Sequence, residues 1–182
     1  MGRNIRNLTA AALFIAIGLV LPMAFHFAPQ LVPGVPLGAI FLPMHIPVLM
    51  SGLILGWKYG LIVGLITPVL SHFTMGMPAW PMLQTMFFEL AVYGLVTGLL
   101  VKVIRTRSMY VNLYVAMIVA MIAGRVTFGL LNMFFFQAGT YTLQIWLNFA
   151  LLAAWPGIMI QLVFVPSIVF AIKKLTSSAA SY

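Results

Sequence analysis

The most restrictive feature of this sequence is a series of long apolar runs that take up most of its 182 residues. Only 5% of the residues are charged. A soluble domain carries roughly 25% charged residues, because water must wet its surface. Nearly the whole exterior of this chain must therefore face something apolar, and a lipid bilayer provides that environment. The sequence predicts an integral membrane protein.

Six apolar runs can be marked, and each is a predicted transmembrane helix. They lie at residues 8–27, 37–57, 59–73, 81–104, 109–136 and 145–172. Because these runs fill the chain, we expect residues 1–182 to form a single all-α, multi-pass membrane domain. Any ATP hydrolysis that drives the protein is then expected on separate chains.

The basic residues indicate how the predicted helices are oriented. Eight of the nine Lys and Arg residues lie before run one, between runs two and three, at the junction of runs four and five, or after run six: Arg3, Arg6, Lys58, Lys102, Arg105, Arg107, Lys173 and Lys174. The opposite loops, at residues 28–36, 74–80 and 137–144, hold no Lys or Arg. Cytoplasmic loops carry an excess of these residues. The pattern predicts that both termini are cytoplasmic, and it explains the net charge of +8 without a nucleic-acid partner.

Two charged residues lie within the predicted membrane spans. Glu89 is the only acidic residue and lies about nine residues into the fourth run, or roughly 12 Å from its outer end. Arg125 lies about eleven residues from the outer end of the fifth run, or roughly 16 Å. Charges in a membrane are costly unless paired, so the similar depths predict a buried ion pair. The sequence leaves open whether the pair is purely structural or also contacts a polar ligand.

Further polar and aromatic residues near the outer ends are candidates for the same site. Asn132, Asn148 and Thr85 can donate and accept hydrogen bonds there, and Trp80 and Trp146 can form apolar walls. Helix–helix hydrogen bonds and aromatic belts at the membrane surface are the alternative roles for these side chains. Equally, the proline-rich outer loops at residues 28–36 and 74–80 are either tight hairpins or lids over a cavity.

Chemistry that requires a catalytic centre or a metal ion has few residues available. Cysteine is absent, and His26, His45 and His72 have neither the spacing nor the companions of a metal site. We expect His45 to bond backbone groups left unpaired beside Pro43 and Pro47. No nucleophile–base set or phosphate-binding loop is present, so the sequence predicts no enzyme activity and no cofactor.

Four stretches of the sequence, taken in order, resemble a known family of transport subunits. They read FLPMHIPVLMSGLILGWKYGLIVGLITPVLSHFTMGMP, FELAVYGLVTGLL, AGRVTFGLL and WPGIMIQLVFVPSIVFAI. The resemblance, over residues 8–172, is to the substrate-binding S components of energy-coupling factor (ECF) vitamin transporters. It implies six helices with cytoplasmic termini and high-affinity binding of a water-soluble vitamin near the outer surface. The cavity is expected between helices four to six and the outer loops, with the first outer loop as its lid.

The resemblance also implies partners. An S component docks on a transmembrane coupling protein that carries two cytoplasmic ATPases, and in this family an AxxxA face of helix one forms the docking surface. That face corresponds to Ala12 and Ala16 in this sequence, although their spacing alone favours internal packing.

The vitamin itself is left open by the sequence. A fixed Glu89–Arg125 pair suits a small neutral or weakly basic heteroaromatic such as pyridoxine or hydroxymethylpyrimidine, which we favour. An Arg125 that faces an anion suits pantothenate instead. Two hypotheses of other classes are an autonomous secondary transporter and a small membrane enzyme. Only Glu89 is available to bind a coupling ion, which disfavours the first of these.

Overall fold

The structure is a computed structural model that describes residues 2–27 and 40–179. Every regular element in these two ranges is a helix. In chain order they are α1 (Gly2–Phe27), α2 (His45–Leu55), α3 (Trp57–Met75), α4 (Met82–Val103), α5 (Met109–Leu131), α6 (Leu143–Leu147) and α7 (Trp155–Ala179). A π-helical turn at Asn132–Phe136 continues α5, and a second at Asn148–Ala153 joins α6 to α7. The predicted all-helical class is confirmed for the described residues.

Four described helical segments are long and apolar enough to cross a membrane: Asn4–Ala24, Met82–Val103, Met109–Phe136 and Trp155–Leu175. They correspond to the first, fourth, fifth and sixth predicted runs. The second run is represented by α2, which is apolar but has only 11 residues. The third corresponds to α3, whose 19 residues continue through Pro68. The count of six spans therefore stays a prediction, and the first outer loop at residues 28–36 lies outside the described residues.

Glycines allow α3 and α4 to pack with their backbones in direct contact. A Cβ atom at Gly94 would collide with the backbone of Gly60, and one at Gly64 would collide with the carbonyl oxygen of Leu90. Further along α4, a Cβ at Gly98 would collide with the backbone of Trp57. This last contact places the turn between α2 and α3 beside the end of α4. Small residues at such interfaces let membrane helices approach closely, where dispersion forces are strongest.

Apolar side chains from most of the long helices form one core. Representative buried members are Phe14, Leu49, Val63, Leu90, Met117 and Val165, from α1, α2, α3, α4, α5 and α7 respectively. The outer side of α1 is also apolar: Leu8, Leu13 and Val20 are each more than 60% exposed. Large exposed apolar surface of this kind fits contact with lipid or with another membrane protein.

The second predicted outer loop is an ordered turn. Gly76 ends α3 with a φ of 70°, a conformation that glycine adopts without strain. Two side chains at the end of α3 then hold the following segment. The Ser71 hydroxyl donates to the Met77 carbonyl oxygen at 2.7 Å, and His72 Nδ1 lies 3.0 Å from the Pro78 carbonyl oxygen. These contacts position the start of α4, on which the acidic residue lies.

Candidate functional site

Glu89 is the centre of a buried polar cluster. Its side chain lies in the second turn of α4 and is only 1% exposed. Arg125 Nη1, on α5, lies 3.2 Å from Glu89 Oε1, so the ion pair predicted from the two depths is present. The Tyr93 hydroxyl donates to the same oxygen at 3.1 Å. Whether Glu89 or Arg125 also binds a ligand stays a prediction.

His45 belongs to this cluster, although the sequence assigned it to the backbone. It is the first residue of α2, is 1% exposed, and its Nε2 lies 3.7 Å from Glu89 Oε2. Its ring is 5.3 Å from the ring of Tyr93. Within the described part of the chain, neither of its ring nitrogens has a hydrogen-bond partner. Tyr93 was also missed, but its position four residues after Glu89, on the same helical face, was an available signal.

Two glycines make room for aromatic rings on either side of Arg125. A Cβ atom at Gly124 would overlap the ring of Tyr93, and one at Gly129 would overlap the indole of Trp146. The Trp146 indole N–H donates across 3.0 Å to the backbone carbonyl oxygen of Arg125. Trp146 therefore packs against the backbone of α5 at the level of Arg125, and its predicted role as a wall of a ligand cavity stays a prediction. The two rings hold this turn of α5 in place.

Several buried polar atoms near the ion pair have no hydrogen-bond partner among residues 2–27 and 40–179. They are Nε and Nη2 of Arg125, both ring nitrogens of His45 and the hydroxyl of Tyr141. Tyr141 precedes α6 and packs edge-on against Phe128, with ring centres 6.4 Å apart. Burial and then the negative charge of Glu89 raise the pKa of Tyr141, so its hydroxyl stays protonated and can donate. Because nearly all buried polar atoms in proteins are bonded, this group indicates a place for a polar ligand or water.

Three other predicted ligand residues have local roles or lie apart from the ion pair. Asn132 is buried, donates to the Phe128 carbonyl oxygen at 3.0 Å, and accepts from Gln137 Nε2 at 2.9 Å. The buried Thr85 hydroxyl donates to the Met82 carbonyl oxygen at 3.0 Å. Asn148 is exposed in the second π-helical turn. That any of these three contacts a ligand remains untested.

Comparison with known families decides the class of this protein. The family model for the substrate-specific component of ECF transporters matches residues 6–180. The chain belongs to this family. The match covers most of α1, every later helix and the whole Glu89–Arg125 cluster, and it confirms the resemblance seen in the sequence. The S components are membrane transport subunits. No curated protein and no solved structure matches the chain.

The predicted docking residues of this S component lie on the exposed side of α1. Ala12 and Ala16 are exposed, whereas Ala11, Phe14 and Gly18 face the bundle. Gly18 is in close contact with Thr67 of α3, so the packing of α1 uses a different face from the two alanines. Their exposure leaves them accessible to another protein or to lipid.

Trp80, the remaining predicted wall residue, lies apart from the ion pair in this S component. It is 61% exposed, and its ring is 6.1 Å from that of His72. It lines an open cleft of about 600 Å³ together with Phe73, Leu83, Gln84, Phe87, Phe88 and Phe136, among others. The lining is almost wholly apolar. Among the described residues no three His, Asp or Glu side chains lie together in a way that could hold a metal ion.

Proposed function

We propose that this S component binds a water-soluble vitamin or vitamin precursor at the Glu89–Arg125 cluster and delivers it for import. The observation that carries the proposal is the group of buried, unpartnered polar atoms around that ion pair, counted among the described residues. Leaving a buried donor unpaired costs about 1–3 kcal/mol, so a ligand that pairs several of them gains affinity and selectivity. Trp146 and Tyr93 supply aromatic surface at the same place.

In this proposal the cluster lies near the outer surface of the membrane. All six predicted runs cross the membrane, α2 and α3 among them, and both termini are cytoplasmic. Lys58 and Lys102 support this arrangement, because the contact of Gly98 with Trp57 brings the two basic segments to one end of the bundle. His45, at the start of α2, and Glu89, near the start of α4, then lie towards the opposite end, where a solute arrives from outside.

Transport requires partner chains. The S component docks through Ala12 and Ala16 on a transmembrane coupling protein, and two cytoplasmic ATPases of the same ABC-type complex hydrolyse the ATP. The exposure of both alanines on α1 supports this role. Small side chains at such a surface let a partner helix come close. The S component itself performs no catalysis and needs no cofactor.

An autonomous secondary transporter is the main rival. Such a carrier needs a carboxylate that can bind and release a coupling ion or proton. The only carboxylate of this chain, Glu89, is buried and already contacts Arg125, Tyr93 and His45. A small membrane enzyme would need nucleophiles or metal ligands that converge, and no three His, Cys, Asp or Glu side chains lie together among the described residues.

Uptake into proteoliposomes tests the proposed function. The S component is reconstituted alone, or with the coupling protein and both ATPases, and radiolabelled vitamins are supplied on the side opposite the ATPases. We expect uptake only from the complete complex and only with ATP. A non-hydrolysable ATP analogue should give no uptake. Uptake by the S component alone, driven by a sodium or proton gradient, would show that it is a secondary transporter.

A further inference from the structure

The ion pair uses only part of the hydrogen-bonding capacity of Arg125. Glu89 Oε1 contacts Nη1 at 3.2 Å. Nε and Nη2 are buried and have no partner among the residues that the structure describes; we refer to these two nitrogens as the open edge. A guanidinium presents two parallel N–H groups along this edge, in a spacing that matches the two oxygens of a carboxylate. The open edge is therefore suited to a planar group with two acceptor atoms.

Glu89 has polar neighbours other than Arg125. The Tyr93 hydroxyl also donates to Glu89, at 3.1 Å, and His45 Nε2 lies 3.7 Å from its other oxygen. Glu89 thus accepts from Tyr93 as well as pairing with Arg125, and the open edge of Arg125 can contact a second carboxylate. The hydroxyl of Tyr141, which has no partner among the described residues, offers one more donor to a polar ligand in the same region.

We infer that the substrate of this S component carries a carboxylate, which binds side-on across the open edge of Arg125. The inference rests on the proposed function and names the ligand class. The aminopyrimidine edge of hydroxymethylpyrimidine presents one acceptor and one donor, and the donor would face an N–H of Arg125. The hydroxyls of pyridoxine are neutral and accept more weakly than a carboxylate. The structure thus favours the acid-bearing alternative, of which pantothenate is an example.

Binding of matched compounds to the purified S component tests the inference. Each pair has one skeleton with and without the carboxylate: pantothenate with pantothenol, and nicotinate with nicotinamide. Pyridoxine and hydroxymethylpyrimidine complete the set. Titration is followed by tryptophan fluorescence, to which Trp146 contributes beside Arg125. We expect one carboxylate compound to bind saturably and at least ~100-fold more tightly than its neutral partner, since two charge-assisted hydrogen bonds are lost.

The outcomes of this titration separate the two proposals. Equal binding within a pair, or tight binding of a neutral compound alone, overturns the carboxylate inference and leaves the proposed transport function intact. If the folded protein binds neither these compounds nor any other water-soluble vitamin or vitamin precursor, both proposals fail.

An Arg125→Lys variant examines the open edge itself. Lysine keeps the positive charge beside Glu89 but is a point donor without the planar fork. We expect its melting temperature to stay within a few degrees of the wild type, and its preference for the carboxylate compound to fall at least ~10-fold. Arg107→Lys, in the exposed segment between α4 and α5, is the matched control and should change neither value. An unchanged preference in Arg125→Lys overturns the inference, and should that variant not fold, the wild-type titration still decides it.

Discussion

Replacing Arg125 by alanine should destabilise the protein severely, because it leaves Glu89 buried without its cation. The Glu89 carboxylate is 1% exposed, and only Tyr93 and His45 would remain within reach of it among the described residues. Removing one partner of a buried ion pair costs about 3–5 kcal/mol. For a chain of this size each kcal/mol lowers the melting temperature by roughly 2–4 °C, so we expect a loss of roughly 6–20 °C.

The assay is thermal unfolding of purified protein in detergent, followed by tryptophan fluorescence. Two further variants identify the cause of the loss. Arg107→Ala removes an exposed arginine and should melt within about 2 °C of the wild type, as most surface changes do. A Glu89→Gln/Arg125→Met double variant removes both charges and should recover most of the stability while still failing to bind substrate. An Arg125→Ala protein that melts like the wild type, or a double variant no more stable than Arg125→Ala, would refute the reasoning.

Three further predictions concern the packing of α3 against α4, the Tyr141 hydroxyl and docking. Gly94→Ala should lower the melting temperature by several degrees, because the added Cβ collides with the backbone of α3. Gly2→Ala is the control, since open space surrounds Gly2 and its melting temperature should not fall. Equal melting temperatures in the two variants would contradict the close approach of α3 and α4. Tyr141→Phe should keep or raise the melting temperature of unliganded protein, since it removes a buried hydroxyl that lacks a partner among the described residues, and it should weaken substrate binding about tenfold. Unchanged affinity in a titration would exclude Tyr141 from the site. Ala12→Leu should leave substrate binding intact but reduce ATP-driven uptake by the full complex. Ala171→Leu, on the exposed side of α7, should affect neither. Equal uptake in both variants would show that α1 is not part of the docking surface.

The apolar runs predicted some helices closely and others only in part. The fourth run, residues 81–104, nearly coincides with α4 (Met82–Val103). The second run was predicted from residue 37, but α2 begins at His45. Pro47 then occupies the third helical position, where its missing N–H is not needed. The sixth run contains a break before α7, because Pro156 has no N–H to donate to the preceding turn.

The Glu89–Arg125 pair was predictable because it follows from depth alone. Both residues lie on regular helices, so counting turns from the outer ends placed them at similar levels. His45 was not predictable in this way, since its contact with Glu89 depends on α2 packing against α4. Sequence periodicity does not show which helices are neighbours, or that Gly52 brings the two backbones together. Asn132 was correctly placed near the helix end, but its local bonds to Phe128 and Gln137 could not be read from spacing.

The central claim is that this S component binds its substrate at the Glu89–Arg125 cluster. A thermal-shift screen tests this claim most directly. Water-soluble vitamins are added to the wild type and to Arg125→Lys, each purified in detergent. A ligand at a thousand times its Kd stabilises the folded state by about 4.1 kcal/mol, which corresponds to roughly 8–16 °C here. We predict that one vitamin gives such a shift in the wild type and a much smaller one in Arg125→Lys. No shift with any vitamin, or equal shifts in both proteins, would contradict the account.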